Sequence, residues 1–410
     1  MSRRWVIAVL CGLALVGASC KGSGSASGGT EGGTLTFGAA LSLTGELNRE
    51  GILTKEGYEY CKQVINEKGG VKAGDKTYKI DITYQDDQSE PDVAAQLVDK
   101  FNDDGISFIL GPYGSSSTEA AAAVTERNQQ LMVSSAGADD AIYAKGYQYI
   151  FGVLSPASEY LATIVKAVAD IAEPKPQTVA VLSADDGFSK TAAKGGAAEA
   201  EKQGMTVVGT EYFPEGATDV SSSLTKINPE DPDLILGSVH LEEGVAIIKQ
   251  SAELGIEPSG GFGETVAPPT PDFAETLGKN ADYTLGSSQW TVETEGEDKF
   301  FGTAEDYATG FQQAVGHEPE YHNAEATAAC LAMVLAIEDA GSTNPTEVRD
   351  AMAGLDTQSF FGPIRFDEEG KNVYKPMQVI QIQKGKVVTV WPQSEGTKPL
   401  QWPAPSFEQR

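Results

Sequence analysis

Runs of apolar residues of strand length alternate with helix-length amphipathic stretches along most of this 410-residue chain. That alternation is the signature of a parallel sheet whose strands are joined by crossover helices, and it constrains the fold more than any other feature here. Residues 35–41 alternate as a strand and end in the polar, flexible loop Ser42-Leu43-Thr44-Gly45. A helix follows over about 54–67, Gly69-Gly70 stops it, residues 78–85 form the next strand, and 92–102 are helical. The apolar run 106–110 then breaks at Gly111-Pro112, and a serine run at Ser115 opens an Ala-rich helix. A second run, 131–133, ends in the small and polar residues 134–139 before the pattern turns helical at Ala141. Two neighbouring strand-to-helix loops therefore point backbone N–H groups at one place. In open α/β sheets such loops lie at the carboxyl ends of the strands, where ligands bind and helix N-termini favour a carboxylate or phosphate.

Between 151 and 160 the pattern changes to an extended piece feeding a new helix, which marks a first crossing between domains. The alternation restarts, with strands at 178–182, 206–212 and 234–239, helices at 187–203 and 242–254, and the end of another helix at 224–227. A second doubly wound unit is the simple reading. Helical stretches are expected at about 298–313, 323–340 and 346–353, and residues 361–390 have hairpin character with a turn at Gly385.

The first residues have a different purpose. Arg3-Arg4, an apolar stretch over 5–16 and Gly17-Ala18-Ser19-Cys20 read as a signal peptide, residues 1–19. The apolar stretch is too short for a membrane span of roughly 20 residues. The segment resembles a bacterial lipoprotein signal, which implies lipidation at Cys20 after cleavage; Gly17 departs from the larger apolar residue usual there, and plain secretion is the alternative. Residues 20–33 are Gly/Ser-rich and read as an unfolded, lipidated tether. Loss of Arg3 and Arg4 with the signal moves the formal net charge from −29 to −31. So acidic a chain repels nucleic acid and anionic lipid. Of four cysteines, Cys11 leaves with the signal and Cys20 is the lipidation site, leaving Cys61 and Cys330 either paired, as an oxidising compartment permits, or as two buried thiols. No Cys or His cluster suggests a metal, and no cofactor is expected.

Taken together, LSLTGEL, NEKGGV, GPYGSSST, QLMVSSAGAD, KGYQYIF and FGPIRFDEEG, in that order, make the chain similar to the type I periplasmic binding proteins, within them the branched-chain amino-acid (Leu/Ile/Val) binding lipoproteins of ABC transporters. The resemblance implies an α/β fold of two Rossmann-like lobes joined by three hinge crossings, near Ser155, Trp290 and Gly362. Lobe 1 would be 34–155 plus 291–360, lobe 2 would be 156–290 plus 361–400, and 401–410 a C-terminal tail. It also implies ligand contacts. Ser115 matches the serine that hydrogen-bonds the ligand carboxylate, beside its plainer role at a helix start. Ala136, Gly137, Ala138 and Asp139 fall on the second loop, where Asp139 stands in place of the family's hydroxyl residue. Phe188 and His240 match two tyrosines that pack over the ligand, and Glu264, with Thr265 one position away, matches the glutamate that pairs with the ammonium.

Glu50 stands where leucine-binding members carry an aromatic residue. If Glu50 faces the cleft with Asp139, Glu264 and Asp185, the expected ligand is a polar or cationic amino acid rather than an aliphatic one, because a buried carboxylate must be paired or it neutralises. The implied function is extracytoplasmic capture of a small solute by hinge closure and delivery to a permease, by a monomer with no enzymatic role. A ligand sensor, or a hydrolase built on Ser115 and His240, is the alternative; the latter lacks a G-x-S-x-G elbow.

Overall fold

The computed structural model describes residues 30–394 and 396–410; the expected signal peptide, Cys20 and most of the tether lie outside them. The first sheet is built from β1 (Thr30–Leu41), β2 (Val71–Ala73), β3 (Lys76–Asp86), β4 (Phe108–Leu110), β5 (Leu131–Ser134) and β6 (Ile150–Gly152), in the order β2-β3-β1-β4-β5-β6. All its neighbours are parallel except the short antiparallel β2–β3 pair. Its crossovers are α1 (Asn48–Glu67), α2 (Pro91–Asp103), α3 (Ser115–Asn128) and the single turn α4 (Asp140–Tyr143).

The second sheet repeats this plan. α5 (Glu159–Ile171) leads into β7 (Thr178–Ala184), α6 (Gly187–Lys202), β8 (Thr206–Phe213), α7 (Ser221–Ile227), β9 (Leu234–Ser238), α8 (Leu241–Leu254), β10 (Phe262–Glu264), α9 (Pro271–Leu277) and β11 (Leu285–Ser288). The chain then returns to the first lobe through the two-residue strands β12 (Glu297–Asp298) and β13 (Gly302–Thr303) and the helices α10 (Ala304–Val315), α11 (Tyr321–Ala340) and α12 (Pro345–Ala353). A hairpin of β14 (Asp356–Ser359) and β15 (Gly362–Arg365) follows, and β16 (Gln378–Gln383) and β17 (Lys386–Trp391) close the second sheet in the order β17-β16-β11-β10-β9-β7-β8.

In each sheet the strand order reverses beside the first strand, at β1/β4 and at β7/β9. Loops leaving such a switch point diverge to opposite faces and leave a crevice at the strand ends. The loop after β4 leads to Ser115 at the start of α3, the loop after β7 leads to Phe188 in the first turn of α6, and the loop after β9 carries His240.

Five expectations change. Residues 30–33, expected in the unfolded tether, pair with β3 from Thr30↔Lys76 to Gly33↔Tyr78, because an extended chain beside an open strand edge gains ladder hydrogen bonds whatever its composition. The first helix starts at Asn48 rather than 54, and residues 298–303 form the β12–β13 hairpin instead of helix. The third crossing lies at Lys375 rather than Gly362, since Gly362 turns the β14–β15 hairpin and Phe366 beyond it packs on Phe151 with ring centroids 5.1 Å apart. Residues 401–410 are no free tail: Phe407 packs on Phe262, and the Trp402 indole donates to Pro174 O.

The three crossings are bound together. Ser155 N–H donates to Gln289 Oε1 (3.2 Å), Ser155 Oγ donates to Lys375 O (2.8 Å), and Lys375 Nζ donates to Gln289 O. Cys61 of α1 and Cys330 of α11 are joined as a disulfide. The two helices also touch at Gly57, where any Cβ would collide with Asn323 O.

Candidate functional site: a chamber between two lobes

Tyr58, buried in α1, sets the first-lobe loops: its hydroxyl donates to Gly111 O (2.9 Å) and pairs with Ser135 Oγ (2.8 Å), tying the loop after β4 to the loop after β5. Gly114, at φ 84°, then turns the chain into α3 with no side chain capping the helix. Its first-turn N–H groups thus stay open to the crevice. Ser115 Oγ accepts from Asp139 N–H (3.1 Å), which orients the hydroxyl and leaves its own proton to donate.

Around this point lies a chamber lined from the first lobe by Tyr113, Ser115, Ala136, Tyr321, His322 and Glu325, and from the second by Tyr160, Phe188, His240 and Val266, with Leu154 at the crossing. The rings form its walls: Phe188 meets Tyr160 edge-on at 5.0 Å and His240 at 5.5 Å. Tyr113 OH bridges towards His240 Nδ1 (3.3 Å) and His322 Nε2 (3.4 Å). The space left among them has room for about one water molecule. The lobes are shut. Arg49 of α1 pairs with Asp272 of α9 (2.5 Å), Thr191 Oγ1 donates to Asp139 Oδ1 (2.8 Å), and Leu241 N–H meets Glu50 Oε1 (3.4 Å).

The residues singled out in the sequence divide. Ser115, Ala136, Phe188 and His240 line the one chamber. Gly137 and Ala138 do not: Gly137 N–H donates to Ser134 Oγ (2.8 Å), and Ala138 O accepts from Ala157 N–H (2.8 Å), so both brace their own loop and the first crossing. Asp139 caps α4 through Ala141 N–H and holds Thr191, which occupies its carboxylate outside the chamber. Glu264 is fully buried inside the second lobe, pressed between Gly237 of β9 and Gly244 of α8, and Val266, two residues on, reaches the chamber instead. Asp185 faces solvent, paired with Lys190 at 2.7 Å. Glu50, only 2% exposed in the first turn of α1, sits in the cleft on the far side of His240 with Glu46, Glu242 and Glu243.

Sequence reading passed over Tyr113, Tyr160, Tyr321, His322 and Glu325. Two signals were present: His240 and His322 are two of the chain's three histidines, and the first two turns of α11 carry the buried polar residues His322, Asn323, Glu325 and Thr327. Glu320 caps that helix, accepting from His322 and Asn323 N–H, and its other oxygen meets His322 Nδ1 (2.7 Å).

The electrostatics follow from burial. Glu325 is 1% exposed and its Oε2 has no partner; burial, helped by Glu320 and opposed by Lys375, holds its carboxyl well above the usual range. Lys375 at the crossings is brought down by burial to about 7, against the pull of Glu325. Burial lowers the His240 pKa, but Asp186, Glu243, Glu50 and Glu215 outweigh it and the net shift is upward. Glu215 keeps an exposed side chain, yet the water its carboxyl loses at the lobe interface pushes it up to about 7, with His240 opposing and Asp186, Glu46 and Glu243 adding.

Two doubly wound lobes joined by three crossings and shut on a chamber between their strand ends define the type I periplasmic binding protein class. Residues 34–386 match the family described as "Periplasmic binding protein", and the chain belongs to that family. Among its relatives is the Leu/Ile/Val-binding protein homolog 8 of Brucella abortus (strain 2308), 24% identical over 87% of this chain and 90% of the relative. The fold is similar to that of LivJ, a branched-chain amino acid transporter substrate-binding protein from Streptococcus pneumoniae crystallised with isoleucine (TM-score 0.75, 23% identity, 86% of this chain and 97% of that one). It is likewise similar to the leucine-binding protein LivK from Thermotoga maritima (TM-score 0.77, 20% identity, 87% and 97%).

Proposed function

We propose that this protein is an extracytoplasmic, non-enzymatic solute-binding component of an ABC importer. It captures an amino acid by closure of two lobes about the three crossings and presents the closed form to a permease. Lobe 1 would comprise 34–155 with 291–374, lobe 2 the remainder, and lipidated Cys20 would anchor a monomer outside the cytoplasmic membrane. The chamber carries the reading, because Ser115 and Glu325, the two groups a zwitterion needs, line it together with the rings of Tyr113, Tyr160, Phe188 and Tyr321. Ser115 Oγ, at the open start of α3, suits the carboxylate. Glu325, whose carboxyl burial holds well above the usual range, would pair with an ammonium that supplies the missing charge.

The side chain of the ligand would extend towards His240 and Glu50. That surround is acidic, through carboxylates other than the Asp139, Glu264 and Asp185 expected from sequence, and it favours a polar or cationic side chain over an aliphatic one. Isothermal titration with leucine, glutamine and arginine tests this. Arginine or glutamine should bind at least about tenfold more tightly than leucine, a difference of about 1.4 kcal/mol, and Glu325→Gln should weaken the preferred ligand about 10–100-fold, the cost of one desolvated charge pair. Tight binding of leucine alone overturns the ligand class; absence of binding by every amino acid overturns the function.

A further inference from the structure

Beside the chamber, on the outer side of His240, Asp186, Glu215 and His240 each bring one ligating atom to within 4.8 Å of the others. All three come from strand ends of the second lobe: Asp186 caps α6, Glu215 follows β8, and His240 follows β9. Asp186 Oδ1 accepts from Ser189 N–H (2.8 Å), while its Oδ2 has no hydrogen-bond partner although the residue is only 7% exposed. A buried carboxylate oxygen without a donor is costly, and buried charges in proteins are paired or coordinate metals. Glu46 reaches the same space from the first lobe, its carboxylate lying against Gly216.

We propose that Asp186, Glu215 and His240 form a divalent-cation site of the Zn2+ class at the lobe interface, with Glu46 as a fourth ligand supplied across the cleft on closure. One imidazole nitrogen with carboxylate oxygens suits Zn2+ better than Ca2+ or Mg2+, which prefer oxygen alone. Three protein ligands with a fourth position open is a common zinc arrangement, and a divalent ion cancels the two carboxylate charges of the second-lobe set. Because the fourth ligand belongs to the other lobe, the ion binds the closed form better than the open one and so favours closure. This site does not depend on the solute being an amino acid.

The test uses the full mature protein, dialysed against EDTA and titrated with ZnCl2, MnCl2 and CaCl2, with bound metal counted by mass spectrometry and lobe closure followed by small-angle scattering. The expected result is one Zn2+ per chain and a more compact particle. Glu215→Gln, at an exposed position, should lower Zn2+ affinity by at least about tenfold, and Asp186→Asn should do the same with the fold checked by circular dichroism, since Asp186 also caps a helix. Glu46→Gln should keep most of the binding and lose the compaction. Asp185→Asn, on the solvent side, should change neither. The proposal is overturned if none of the three ions binds saturably at one per chain, or if Glu215→Gln and Asp186→Asn both bind Zn2+ as the parent does. It is equally overturned if arginine displaces the ion mole for mole, which would make the cluster a subsite for the solute. Amino-acid titration of the metal-free protein, run alongside, separates failure of this site from failure of the solute-binding reading.

Discussion

Glu264 and Glu325 are both carboxyls buried without adequate partners, and their surroundings give them different work. Glu325 opens onto the chamber, whereas Glu264 has both oxygens unpartnered between β9 and α8, where no solute can reach. Burial, with Glu243 adding, raises the Glu264 pKa well above 4.5. The folded protein therefore holds a proton that the unfolded chain releases, so this group's contribution is fully present below pH 4.5 and is lost as pH rises towards the folded value. Glu264→Gln should remove that loss and stabilise the protein at pH 8 by about 1–3 kcal/mol relative to its effect at pH 4, without weakening solute binding. Urea unfolding of both proteins at the two pH values measures it, and parallel pH dependence would refute it. Sequence comparison made Glu264 the ammonium partner because it counts positions along a strand and cannot see that the loop turns two residues later. Ser115, Phe188 and His240 were legible because each sits at a switch-point loop, where topology dictates the destination. Tyr321, His322 and Glu325 were not, because placing their helix in the first lobe does not say which of its ends meets the cleft.

At the level of elements, most strands and helices were readable from the period of their apolar residues, and the misses share a cause. Residues 298–303 look helical in composition but are held as a hairpin by Asp298, whose carboxylate accepts from Phe300 and Phe301 N–H (2.8 and 2.9 Å) and from Phe360 N–H (3.2 Å). Such tertiary hydrogen bonds override local propensity and leave no periodic trace. The pair α1–α11 is the other product of long-range contact. Asn323 Nδ2 donates to Leu53 O (2.9 Å), Thr327 Oγ1 donates to Gly57 O (2.9 Å), and the Cys61–Cys330 disulfide closes the pair across 269 residues of chain. Replacing both cysteines by serine should cost about 2–5 kcal/mol and should loosen the wall that carries Glu325. Thermal unfolding of the variant, and of the parent with and without reductant, tests this; an unchanged midpoint in both comparisons would mean that packing alone joins the helices.

For the whole molecule, the shut cleft rests on few direct ties. The Arg49–Asp272 pair is about a third exposed on both sides, and such pairs contribute only about 0–1 kcal/mol. The Thr191–Asp139 hydrogen bond adds about 1 kcal/mol. Arg49→Ala combined with Thr191→Val should therefore shift the closed-to-open ratio about tenfold, which is about 1.4 kcal/mol. Small-angle scattering should show a larger radius of gyration without solute and recovery on adding it; an unchanged profile would show that the aromatic cage, not these ties, holds the lobes. The path of the chain has a separate meaning for how such proteins change their cargo. β16 pairs antiparallel with β11 while the helices α10 to α12, which lie between them in sequence, pack with the first lobe. Neither half of the cleft is thus one continuous segment. A chimaera that exchanged only residues 156–288 would leave its new β11 facing an unmatched β16, so recombination can transfer specificity in this architecture only when two separate stretches of gene are inherited together.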